Sequence, residues 1–152
     1  GLWPAILLAA IKSLVHVMIM GLTTPDGIGV ITAFIASTTI ACLYVLVKKY
    51  IDGASFMKKA LRFFLVIAGF SAVLTICNYF FITPIYFGNF WFTQIREWTT
   101  LSSFIPGLSF DLGYGAAIAF VYIPFNALKG LLVLTVYEII APRLTSALKK
   151  IK

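Results

Sequence analysis

Four apolar stretches, Leu2 to Met20, Ile28 to Val47, Ala60 to Ile82 and Gly113 to Ile140, fill most of this 152-residue chain. A bilayer core about 30 Å thick is crossed by about 20 apolar residues at 1.5 Å rise each, and all four stretches approach or exceed that length. In lipid every backbone N–H and C=O must be paired within the protein. The runs lack the alternation of a barrel strand, so helices are the required form. The expected fold is an all-α integral membrane protein, one transmembrane domain over residues 1–152 built as a helical bundle with four spans. Hydrophobic residues at 61%, charged residues at 11% and a mean hydropathy of +1.02 leave no room for a soluble domain.

The net charge of +7 is placed, not spread. Lys48, Lys49, Lys58, Lys59 and Arg62 crowd one short connection, and Arg143, Lys149, Lys150 and Lys152 crowd the C-terminal tail. Two spans separate these clusters, so both face the same side, and the bias of Lys and Arg assigns it to the cytoplasm. A multi-pass protein with a cytoplasmic C-terminus follows, with Gly21 to Gly27 and Thr83 to Leu112 outside. The basic clusters read as interfacial anchors, and no nucleic-acid partner is expected. A start at Gly1, without Met, on the cytoplasmic side raises the expectation of missing upstream sequence holding an even number of spans.

Thr24-Pro25-Asp26-Gly27 has turn chemistry, and Asp52-Gly53 marks a second turn within the solvated basic cluster. The outer segment contains Tyr86, Phe87, Phe90, Trp91, Phe92, Trp98 and Phe104. It is either an interfacial aromatic belt or a lid presenting aromatic faces to a ligand. Pro106-Gly107 breaks it, and Pro142 is expected to end the last span. Cys42 and Cys77, in different spans and without metal-type spacing, read as small buried hydrophobes.

Lys12 and Lys129 are the polar outliers. A Lys near the centre of a span costs about 2.5 to 3.5 kcal/mol on insertion scales unless something compensates it. Snorkelling is a strain for Lys129, which lies roughly 16 Å of helix from the inner end of its span. It is therefore expected to face inward. Lys12 has Ser13 beside it and His16 one turn later, where an imidazole could share its cavity. His16 lacks a second ligand at i+3 or i+4, so a hydrogen-bonded bundle histidine is expected in place of a metal site. Asn78 and Asn126 can knit helices together or read the polar edge of a ligand. Pro124 can open its helix just before Asn126 and Lys129. Glu138, near the inner end of its span, is assigned no mechanistic role.

No nucleophile elbow, zinc-binding helix, phosphate-cradling loop or paired intramembrane carboxylates occur, so an enzyme is not expected. Without a Walker motif the chain cannot couple ATP hydrolysis by itself. A small-molecule binder without a cofactor fits best.

The run Pro124-Phe125-Asn126-Ala127-Leu128-Lys129-Gly130, followed by Leu131-Leu132-Val133, resembles the signature near the end of the substrate-binding S components of energy-coupling factor (ECF) transporters, particularly the riboflavin type. Asn78-Tyr79-Phe80 with Pro84-Ile85-Tyr86 and Gly88 is a second match, and Gly1 with Lys12 a third. The resemblance implies a six-helix protein of the prokaryotic cell membrane, of which this chain holds the last four helices. Such a protein captures a vitamin from outside and joins a transmembrane coupling subunit and two ATPase subunits. It implies that Asn78 and Lys129 contact the vitamin; Asn126 and Lys12 are expected as further contacts, and aromatic residues of Tyr79 to Trp98, Tyr86 among them, are expected to close over the ring.

The chain departs from the riboflavin pattern at Gly1-Leu2, where Gly-Pro is usual, at Lys12-Ser13, where Lys-Asn is usual, and at Ala33, which replaces an Asn. Lost amides weaken recognition of a flavin's ring edge. Riboflavin is the expected ligand, and pyridoxine or hydroxymethylpyrimidine is the alternative. A structural subunit that binds no small molecule is the rival class.

Overall fold

The computed structural model describes residues 2–21, 26–53, 55–86, 107 and 112–149. Its elements are all helical: α1 (Leu2–Met20), α2 (Asp26–Tyr50), α3 (Phe56–Cys77), a π-helical turn (Asn78–Ile82), α4 (Thr83–Tyr86) and α5 (Tyr114–Lys149). Four spans, Leu2–Ile19, Gly27–Tyr50, Phe56–Tyr86 and Tyr114–Arg143, are long and apolar enough to cross a bilayer. The chain is a membrane-embedded helical protein. Trp3, Met18 and Phe56, each at least three-quarters exposed, present apolar surface that lipid covers.

The helices pack in the order α1, α2, α3, α5, each mainly against the next. The α2–α3–α5 core consists of Ala36 from α2, Val66, Phe70 and Leu74 from α3, and Ala117, Ile118 and Leu134 from α5. Lipid tails are as apolar as these side chains, so burial alone does not drive the helices together; dispersion and close approach do. Gly130 lets α5 approach α3 closely. A Cβ there would lie 3.2 Å from Cδ1 of Phe70.

α1 ends at Gly21, whose φ of 80° is left-handed and whose N–H donates to the Val17 carbonyl at 2.8 Å. Residues 22–25 lie outside the described residues, so the Thr24-Pro25 turn does too. Asp26 and Gly27, expected in that turn, already belong to α2. At the next connection the Gly53 N–H donates to Asp52 Oδ1 at 2.9 Å, the local bond that an Asp-Gly turn favours.

The third span runs further than hydropathy suggested. It was expected to stop at Ile82, with Thr83 opening the outer segment, yet Thr83–Tyr86 continue it as helix. The reason lies at Pro84, which has no N–H and whose ring crowds the preceding turn of a regular helix. The π-helical turn relieves this by widening the register: the Thr83 N–H donates to the Asn78 carbonyl, five residues back. In that register the Tyr79 carbonyl would look to residue 84, a proline. It accepts the Tyr114 hydroxyl at 2.9 Å instead, which ties the end of α3 to the start of α5. The aromatic residues from Phe87 to Phe104 and Pro106 fall outside the described residues.

Pro142 does not end the last helix, contrary to expectation. α5 continues through both Pro124 and Pro142 to Lys149. A proline removes one hydrogen bond and crowds one carbonyl, and a long apolar helix spanning a membrane tolerates this where that carbonyl can be re-satisfied.

Arg62 is a further correction. It was grouped with the solvated basic cluster, but only 3% of it is exposed. Its guanidinium stacks over the Tyr44 ring at 5.7 Å and reaches Asp52 Oδ1 at 4.0 Å, while Nε is buried without a hydrogen-bond partner among the described residues. Glu138 joins the same end of the bundle: it accepts the Tyr44 hydroxyl at 3.1 Å and pairs with Lys59 Nζ at 3.6 Å. The basic ends of α2, α3 and α5 are thereby tied together by polar side chains. Cys42 and Cys77 are free and half-buried.

Candidate functional site

Because α1 packs on α2 and α5 packs on α3, the row of helices leaves a cleft bounded by all four. Its volume is about 670 Å³. Small-molecule sites span roughly 300–1,000 Å³, so a vitamin-sized ligand fits.

Each wall follows from helical spacing. α1 contributes Lys12 and His16, one turn apart, with Ser13 between them. The third span contributes Asn78, Ile82 and Tyr86, again in steps of four. α5 contributes Tyr122, Phe125 and Lys129, which recur at i, i+3 and i+7 on one face. The start of α2 closes the remaining side with an apolar stretch that includes Val30 and Ala33. Thr32 faces the cleft as well, but its hydroxyl donates to the Ile28 carbonyl at 2.7 Å.

Lys12, Asn78, Tyr86 and Lys129, four of the six residues singled out in the sequence, therefore meet in one cavity. Lys129 lies roughly 20 Å of helix from either end of the span Tyr114–Arg143, near mid-depth. It is half-buried, whereas Lys12 is exposed on the opposite wall. Asn78 is 4% exposed and sits on the first residue of the π-helical turn, a distortion that recurs at functional sites. Its Nδ2 donates to the Leu74 carbonyl at 2.7 Å, which fixes the rotamer of the amide.

The other two residues are elsewhere. Asn126 is buried off the cleft, 2% exposed, with Nδ2 lacking a hydrogen-bond partner among the described residues. Tyr79 packs its ring on Tyr114 at 5.0 Å between centroids, in the cluster that includes Ile118 and Tyr122. It supports the cleft wall from behind and does not line it.

Tyr122 and Phe125 line the cleft without having been expected there. Tyr122 accepts a 3.3 Å hydrogen bond from the Thr83 hydroxyl, which couples α5 to α4 at the aromatic end of the cleft. The spacing of Tyr122 and Phe125 from Lys129 was the signal that could have identified them. His16 was expected to be a hydrogen-bonded bundle residue. It is exposed on the cleft wall and has no hydrogen-bond partner among the described residues.

Chemically, the cleft offers two ammonium groups, an imidazole, an amide and two phenols around apolar walls. Among the described residues that line it, none is acidic. Among the described residues no group of three or more His, Cys, Asp or Glu is placed to hold a metal ion. Ala33, which stands where the resemblance to riboflavin-type S components places an Asn, lines the same cleft. Comparison with protein-family models, curated proteins and solved structures returned no match.

Proposed function

We propose that this chain is the substrate-capture (S) subunit of an ECF-type vitamin importer and that the cleft between α1 and α5 holds the vitamin. The observation that carries this reading is the meeting of Lys12, Asn78, Tyr86 and Lys129 in a single cavity of about 670 Å³. These residues were singled out from three separate stretches of sequence, and the cost of lysines inside a bilayer marks two of them independently.

In this reading Lys129 and Asn78 supply directed polar contacts, with Lys12 facing them from α1. Tyr86, Tyr122 and Phe125 provide ring faces for a planar heterocycle. A flavin is the first candidate, with a pyridine or pyrimidine vitamin as the alternative. The chain hydrolyses no ATP; a transmembrane coupling subunit and two ATPase subunits supply the energy. The basic ends of the helices face the cytoplasm.

The competing reading is a structural membrane subunit without a ligand. It draws on Asn78, whose amide already serves its own helix. Native mass spectrometry and absorbance spectroscopy on gently purified protein decide between them. A co-purifying vitamin that disappears in Lys129→Met, with expression intact, is expected. A preparation with no bound mass and no thermal shift on adding any vitamin overturns the capture reading.

A further inference from the structure

The charge of the cleft goes beyond its size. Lys12 and Lys129 both line it, from opposite helices, and His16 adds a third nitrogen base one turn from Lys12. The lining contains no Asp or Glu among the described residues. Among the described residues neither lysine has a carboxylate partner: the ion pairs there are Lys59 with Glu138 and Arg62 with Asp52, at the basic end of the bundle. Two ammonium groups thus share one cavity within the membrane-spanning region without a counter-charge among the described residues, although desolvation and mutual repulsion both oppose the arrangement.

A bundle held together only by packing has no use for such a pair, since hydrogen-bonding amides and hydroxyls would join the helices at lower cost. A purely neutral ligand would leave both charges in place and add the cost of covering them. An oxyanion reverses the balance. It accepts charge-assisted hydrogen bonds from both sides at once, and these are roughly twice as strong as neutral ones. The apolar α2 wall and the rings of Tyr122 and Phe125 would take the uncharged remainder of the ligand.

We infer that the cleft selects a ligand carrying an oxyanion, a carboxylate or a phosphate monoester, attached to a planar heterocycle, with Lys12 and Lys129 clamping the anionic group from two helices. The inference rests on the capture reading above and narrows it: within any vitamin pair, the charged member is the one held. A phosphate dianion matches both lysines, whereas a carboxylate matches one.

Calorimetry on the full chain in detergent tests this with matched probes: riboflavin against riboflavin 5′-phosphate, pyridoxine against pyridoxine 5′-phosphate, and nicotinamide against nicotinate. In at least one pair the charged member should bind ten-fold or more tightly than its neutral partner, with an affinity that falls as salt is raised. Lys12→Gln and Lys129→Gln should each lose most of that preference, while Lys129→Arg, which keeps the charge, should retain part of it. Phosphate and carboxylate pairs separate the two sources of the anion. Equal or tighter binding of the neutral member in every pair that binds overturns the oxyanion inference and leaves vitamin capture standing. Binding of none of the six compounds to folded protein overturns the oxyanion inference, and the absence of a thermal shift with any vitamin overturns capture as well.

Discussion

The Tyr114 hydroxyl donates a 2.9 Å hydrogen bond to the Tyr79 carbonyl, joining the two helices that carry Asn78 and Lys129. The bond exists because Pro84 cannot donate and the π-helical turn has moved the Thr83 N–H to Asn78. Tyr114→Phe should therefore lower thermal stability by about 1 kcal/mol, the scale of an interhelical hydrogen bond in a membrane protein. Pro84→Ala restores a backbone donor one turn beyond. In that background Tyr114→Phe should cost less. A double-mutant cycle measures the coupling, and strict additivity within about 0.3 kcal/mol would show that proline and tyrosine act independently.

Gly130 stands beside Lys129 in sequence and against Phe70 in space. Adding a methyl group at 3.2 Å from a ring carbon forces Phe70 or α5 to move, and Phe70 is only 1% exposed. Gly130→Ala should destabilise the protein by about 1 to 3 kcal/mol, the usual cost of overpacking. Because the displacement falls one residue from the clamp, ligand affinity should drop as well. Phe70→Leu, which clears the space, should restore part of both in the double variant, read by thermal unfolding with and without ligand.

How far the molecule was legible in its sequence depended on the physics at each position. Hydropathy located the spans because lipid imposes one rule on every residue it touches, and α1 runs from Leu2 to Met20 as expected. Two helix ends were misjudged. Pro142 read as a stop, yet α5 runs through it, and a π-helical turn carries the third span past Ile82, where its apolar run was expected to end. Arg62 was placed in solvent because its sequence neighbours are basic, whereas its contacts come from Tyr44 on α2 and Asp52 in the connection after it. Lys12 and Lys129 stood out through the cost of charge in a membrane. Asn126 shares the signature run with Lys129, yet it is buried off the cleft while its neighbour Phe125 lines it, and a linear motif does not record which of two adjacent residues faces a cavity.

The polar ties at the basic end of the bundle are unequal. Asp52 is well exposed and its approach to Arg62 is 4.0 Å, so Asp52→Asn should change stability by no more than about 0.5 kcal/mol. Glu138 is different: it serves both Tyr44 and Lys59 and is the less exposed member of its ion pair. Glu138→Leu should therefore cost about 1 kcal/mol or more, while Glu138→Gln, which still accepts from Tyr44, should cost less. Arg62→Met removes a buried charge whose Nε has no partner among the described residues and fills the same space with apolar atoms. Asp52 is well exposed, so the exchange leaves no buried charge unpaired, and thermal unfolding should place this variant at or above the wild type.

Lys129 offers the sharpest separation of site from scaffold. If it serves ligand capture, its charge is a burden to the empty protein, held near mid-depth with Lys12 on the same cleft and no carboxylate among the described lining residues. Replacing it with Met, of similar length and wholly apolar, should raise the unfolding temperature of the ligand-free protein by a few degrees, since a lysine in the middle of a span costs about 2.5 to 3.5 kcal/mol on insertion scales. The same change should remove the stabilisation that saturating ligand gives the wild type, which grows as the logarithm of ligand concentration over Kd. The two unfolding curves thus cross: the variant is the more stable protein without ligand and the less stable one with it. A structural lysine gives the opposite ligand-free result, a loss of stability with no ligand-dependent component, so a single thermal series with and without ligand separates the two roles.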